Sequence, residues 1–158
     1  MSITVGNRAP DFTLKSKSGD MEDISLSDYR DEKNVVILFF PLAYTGVCTD
    51  EMCSVSGGLA DYDALDAQVL GISVDSPFAQ EAWAEKEGIT IPLLSDFNKE
   101  VSAAYGSQFE DLIGFKGVAK RSAFVVDKSG VVRFASVSDD PTELPDFDAI
   151  KACLQALS

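Results

Sequence analysis

Three side chains in one short stretch carry the chemistry this sequence offers: Pro41, Thr45 and Cys48 in P-L-A-Y-T-G-V-C, with Cys53 following after T-D-E-M. A thiol attacks as its thiolate, and a helix start, with its unpaired N–H groups and the positive end of the macrodipole, favours an anion. Cys48 begins, or nearly begins, a helix that follows an apolar strand, so its sulfur falls at such a place. In a tight loop the Thr45 hydroxyl reaches that sulfur or a substrate oxygen as a donor, and Pro41 shields the sulfur from water. Taken one at a time these residues are unremarkable, Cys48 as a core thiol and Thr45 as a helix cap. Together they supply a nucleophile, a donor and the exclusion of water. No histidine occurs anywhere in the chain. Ser-His-Asp triads, Cys-His dyads, histidine-ligated zinc or haem and phosphohistidine chemistry are therefore excluded.

These residues sit in a chain of 158 with 26 acidic and 13 basic side chains, a net charge of −13 and 46% hydrophobic content. The length and apolar content fit one domain, residues 1–158, with one sizeable core. A nucleic-acid backbone or an anionic membrane would be repelled by that charge, so neither is expected as a partner. Aspartate outnumbers glutamate 17 to 9, a bias shared by proteins kept soluble at high salt and by ordinary acidic surfaces. Met1 to Asp11 is polar and lacks the apolar region of a signal peptide, and no apolar run approaches the ~18 residues of a membrane span. A cytoplasmic protein is expected, in which three cysteines serve as thiols and not as a disulfide framework.

Elements must position the loop. Asn34 to Phe40 (NVVILFF) is a continuous apolar run of β-branched and aromatic residues, the pattern of a strand covered on both faces, and Pro41 stops it. Helical spacing runs from Cys48 to Leu65, and Gln68 to Val74 is a second buried strand, which together make a βαβ unit. Ser76 and Pro77 open a helix that ends at Gly88. Ile89 to Leu94 reads as a strand, and Asp96 as the cap of a short helix running through Tyr105. Ser122 to Asp127 and Val131 to Val137 flank a Lys128-Ser129-Gly130 turn, as in an antiparallel hairpin. Phe147, Ile150, Leu154 and Leu157 make a closing amphipathic helix. A mixed sheet between helices follows, with an irregular loop from Gly106 to Lys120.

The arrangement P-x-x-x-T-x-x-C resembles the active-site signature of the peroxiredoxins. Val5 to Leu14 (VGNRAPDFTL) resembles that family's amino-terminal segment, and Arg121, before the strand Ser122 to Val126, resembles the arginine that completes its catalytic set. On residue type alone Arg121, one of four arginines, reads as a surface ion pair. The resemblance implies an α/β thioredoxin-like fold, a central mixed sheet flanked by helices with an amino-terminal β extension. It further implies reduction of hydrogen peroxide and alkyl hydroperoxides by Cys48, with electrons from thioredoxin or a similar dithiol protein. Neither metal nor cofactor is implied, because the sulfur does the redox chemistry. A monomer or a homodimer is expected.

The C-T-D-E-M-C spacing resembles the bacterioferritin-comigratory-protein (PrxQ) branch, in which a cysteine at the place of Cys53 resolves the sulfenic acid. The P-L-A-Y-T loop is closer to a one-cysteine branch, in which an external thiol resolves it. On its own Cys53 also reads as a buried thiol beside Val55 and Leu59. Five helical residues put the two Cα atoms roughly 8 to 9 Å apart, beyond the reach of a disulfide, so resolution by Cys53 requires the helix to unwind. Cys153 lies near the apolar face of the closing helix and reads as core. Glu51, one turn after Cys48, either supports the active-site hydrogen bonds or is a solvated charge at a helix start. Trp83 packs the helix opened by Pro77. Phe109, Leu112, Ile113 and Phe115 frame an apolar entrance, a dimer contact or part of the core. A disulfide oxidoreductase would call for C-x-x-C, and a structural zinc module for a better ligand set than three dispersed cysteines.

Overall fold

The computed structural model describes residues 3–157. Its centre is the six-residue strand β3 (Asn34–Phe39), every residue of which is buried. β4 (Ala67–Ser73) runs parallel to it on one side, with Val36 opposite Val69 and Phe39 opposite Ile72. β6 (Ser122–Val126) runs antiparallel on the other side. β5 (Leu93–Ser95) extends the sheet beyond β4, and β7 (Val132–Val137) closes it beyond β6. The amino-terminal extension is a hairpin, β1 (Thr13–Ser18) and β2 (Asp20–Ser25), whose first strand pairs with β5. Seven strands result, in the order β2-β1-β5-β4-β3-β6-β7.

Side chains alternate across the sheet, so β3 feeds two cores. Val36, Leu38 and, just beyond the strand, Phe40 pack with Cys48, Met52, Trp83, Ile150 and Leu154 on one face. Val35, Ile37 and Phe39 pack with Phe12, Tyr105 and Phe124 on the other. The first face is covered by α1 (Gly46–Gly57), α3 (Pro77–Glu87) and α5 (Phe147–Ala156). Ser76 and Asp146 cap α3 and α5, their side chains accepting from Ala79 N (3.1 Å) and Ala149 N (3.0 Å).

Three boundaries differ from the sequence reading. The helix from Cys48 to Leu65 is two, α1 and α2 (Leu59–Ala64), because the Gly57-Gly58 pair supports no continuous helix. The strand expected from Ile89 is β5 and begins only at Leu93, since Pro92 has no N–H to give a ladder. The helix after Asp96 is only α4 (Glu100–Ala104), yet the Asp96 carboxylate still caps it, accepting from Val101 N (3.1 Å) and Ser102 N (2.7 Å). No helix among the described residues is long and apolar enough to cross a membrane.

Candidate active site

Pro41 ends β3, and the residues that follow carry the chain over the sheet end into α1. Their path is held from both sides. The Asp75 carboxylate, just past β4, accepts from Ala43 N (2.8 Å) and from the Ser73 hydroxyl (2.7 Å). Tyr44 takes a left-handed backbone (φ 66°), unusual for a side chain of its size. Thr45 is the N-cap, and Cys48 is the third residue of α1, in the turn whose N–H groups have no acceptor within the helix. Cys48 is 1% exposed and Pro41 is buried.

Arg121 comes to the same point from the start of β6, 73 residues away in sequence. Its Nη2 donates to Cys48 Sγ at 2.9 Å, its Nη1 to Glu51 Oε1 at 2.5 Å and its Nε to the Pro141 carbonyl at 2.8 Å. Three acceptors thus fix one guanidinium plane, which is itself 2% exposed. A buried guanidinium thus donates directly to the sulfur.

Glu51 is fully buried and not the solvated charge one reading allowed. Burial pushes its carboxyl up to about 7, against the opposing pull of Arg121. Its second oxygen, Oε2, has no hydrogen-bond partner, one of two such buried side-chain atoms among the described residues.

Thr45 is placed beside the site but not in the orientation the sequence suggested. Its hydroxyl donates to the Leu42 carbonyl at 2.7 Å, so what it offers a ligand is its lone pairs and not its proton. Cys53, part-buried, points its thiol at the Glu87 carbonyl of α3 (3.4 Å). Burial, with Glu87 and Asp50, holds that thiol above its ordinary value. Cys153 packs against the core with its thiol on the Arg133 carbonyl (3.6 Å), as the core reading had it. All three cysteines are free. Ile113 and Phe115 stand exposed at a loop tip, 84% and 52%, which removes the core reading for them. No group of three acidic or cysteine side chains able to hold a metal occurs among the described residues.

One contributor, Asp75, has no counterpart in the sequence reading, and another, Trp83, has a wider part than packing. Trp83 does more than pack α3: its indole donates to Thr49 Oγ1 (3.0 Å) and its ring meets Phe40 and Tyr44, tying α1 and the loop to α3. Asp75 carried no local signal, since an aspartate after a strand is common at helix caps and turns alike.

The chain is similar to known proteins along most of its length. A family model described as AhpC/TSA matches residues 5–135. Alkyl hydroperoxide reductase E of Mycobacterium bovis is 42% identical over 146 residues, covering 91% of each chain. Mouse peroxiredoxin-2 is 41% identical over 145 residues, covering 87% of this chain and 71% of its own. Among solved structures, the peroxidoxin BcpB of Mycobacterium tuberculosis superposes with a TM-score of 0.85 at 30% identity, over 98% of this chain and 97% of that one. The reduced 2-Cys peroxiredoxin of Plasmodium vivax gives 0.86 at 27% identity, over 96% and 80%.

Proposed function

The chain belongs to the AhpC/TSA family of peroxiredoxins, and from that premise we propose that it reduces hydrogen peroxide and organic hydroperoxides through Cys48, with a thioredoxin-like dithiol protein restoring the sulfur. It is a thiol-dependent peroxidase. The observation that carries the reading is the 2.9 Å contact from Arg121 Nη2 to a sulfur seated in the first turn of a helix.

In the reaction a lone pair of the Cys48 thiolate attacks the terminal peroxide oxygen. An S–O bond forms, the O–O bond breaks, and its electron pair leaves on the distal oxygen. Arg121 holds the thiolate and faces the charge that develops on oxygen. The free lone pairs of Thr45 accept from the peroxide hydroxyl and so orient it. With Cys48 only 1% exposed, a protein reductant does not reach its sulfur in this conformation. Reduction of the sulfenic acid therefore requires α1 to open. In the favoured route the opened helix lets Cys53 condense with the sulfenic acid, giving a disulfide and water. An external thiol is the second reading, favoured by the hydrogen bond that holds the Cys53 thiol against α3.

Mass spectrometry after one equivalent of peroxide tests both parts. Wild type is expected to carry a Cys48–Cys53 disulfide, and Cys53→Ser a sulfenic acid at Cys48. A wild-type protein left as sulfenate selects the external thiol, and oxidation found only at other residues rejects the peroxidase site.

A further inference from the structure

One buried cation serves two acidic side chains here. Arg121 Nη1 meets Glu51 Oε1 and Arg121 Nη2 meets Cys48 Sγ, while both partners are removed from water, Glu51 at 0% and Cys48 at 1% exposure. Among the described residues the charged group acting on Glu51 is Arg121, from the segment leading into β6, and Cys48, one turn earlier on the same helix as Glu51, meets that same guanidinium. Asp50, also on α1, acts on Cys53. No histidine exists to share a proton. A single guanidinium compensates one buried anion well and two poorly, because the second must be desolvated against the first.

Glu51 Oε2 points to how this is resolved. A carboxylate buried with one oxygen bare of any donor is costly, whereas a carboxylic acid leaves that oxygen as a neutral hydroxyl. We propose that Glu51 is the proton store of the site, neutral while Cys48 is the thiolate and ionised once Cys48 has become the sulfenic acid. The proposal rests on the peroxidase reading above and deepens it. The raised carboxyl of Glu51, near neutrality through burial, agrees with a proton that can be both held and released there.

The balance closes with peroxide as the only added reagent. Thiolate, hydroperoxide and the Glu51 acid give sulfenic acid, alcohol or water, and the Glu51 carboxylate. Sulfur loses two electrons to the peroxide. The proximal oxygen keeps its own proton in the sulfenic acid, and the departing oxygen takes the proton that Glu51 gives up. Before and after, the buried site holds one cation and one anion, so the charge on Arg121 remains compensated throughout. Glu51 acts through Arg121 and through its proton, without touching the reacting sulfur, and its part is therefore positioning and supply.

The test is a proton count. Protein is mixed with one equivalent of hydrogen peroxide in weakly buffered indicator at about pH 6, below the Glu51 value so that its carboxyl starts mostly neutral, while the ultraviolet absorbance of the thiolate is followed through the first oxidation. Wild type is expected to lose its thiolate absorbance with almost no proton taken from the medium. Glu51→Gln is expected to take up about one proton for each thiolate lost, since no internal acid remains to supply it. Uptake of one proton by wild type overturns the proposal, as does a reduced wild type without thiolate absorbance. Both of these outcomes are read on wild type alone, so they decide the matter even if the variant fails to fold. Equal uptake by the two proteins overturns it as well. Failure of wild type to react with peroxide at all would instead reject the peroxidase reading itself.

Discussion

Glu51 is where a residue type and its surroundings disagree most, and stability measures the disagreement. Its carboxyl titrates near 4.5 when exposed and is pushed up to about 7 by burial in the fold. A value raised on folding means the neutral form is the one the fold accommodates. Stability from this group is complete below the unfolded value and is lost as pH rises through about 7. Glu51→Gln carries no such group. Between pH 5 and 8 the unfolding free energy of wild type is expected to fall by up to about 3 kcal/mol relative to the variant, measured by urea titration at each pH. A difference that does not change with pH contradicts the burial argument. The same residue marks a limit of the sequence. Cys48, Pro41 and Arg121 were legible because their types and order form a recognisable set. Glu51 read equally well as a solvated helix-start charge, because nothing local tells that a guanidinium 70 residues away will cover it. The Thr45 hydroxyl was read in the right place with the wrong orientation, since the competing acceptor, Leu42 O, is backbone of its own loop.

α1 is the element that the proposed resolution step must open, and it is built weakly. G-V-C-T-D-E-M-C-S-V-S-G holds β-branched, serine and glycine residues and no alanine or leucine. Its N-cap side chain makes no capping bond, and Gly57 and Gly58 end it. Such a helix is held mainly by tertiary contacts, among them Trp83 on Thr49, and opens at modest cost. Open space surrounds the position a Cβ would take at Gly57. Gly57→Ala is expected to stabilise α1 by about 1 kcal/mol and to slow disulfide formation roughly fivefold. More Cys48 should then reach sulfinic acid at excess peroxide, read by mass spectrometry, and unchanged partitioning contradicts opening of α1 as the slow step. Elements with strong patterning were legible: β3, β4, the β6–β7 hairpin and α5 stand where apolar runs and turn residues put them. β1 and β2 were expected only through the family resemblance, because T-L-K-S-K-S-G-D-M-E-D-I-S shows almost no apolar alternation. Their pairing with each other, and that of β1 with β5, makes them strands, with Ile24 and Leu14 their only apolar contribution to the core.

For the whole molecule the net charge of −13 separates the two halves of the cycle. A neutral peroxide feels no repulsion, whereas an acidic dithiol protein does, and salt screens the latter over a Debye length of about 8 to 10 Å. Turnover with an acidic thioredoxin should rise with moderate salt while the first oxidation stays nearly constant. Parallel salt dependence of both steps contradicts this. Trp83 makes the first oxidation visible, being the single tryptophan, fully buried and hydrogen-bonded to the helix that carries Cys48. The most direct measurement of the central claim is therefore stopped-flow tryptophan fluorescence on mixing reduced protein with peroxide. Wild type is expected to show a phase whose rate rises linearly with peroxide and whose amplitude saturates at one equivalent, and Cys48→Ser is expected to show none. A peroxide-dependent phase of wild-type rate and amplitude in Cys48→Ser would contradict the account.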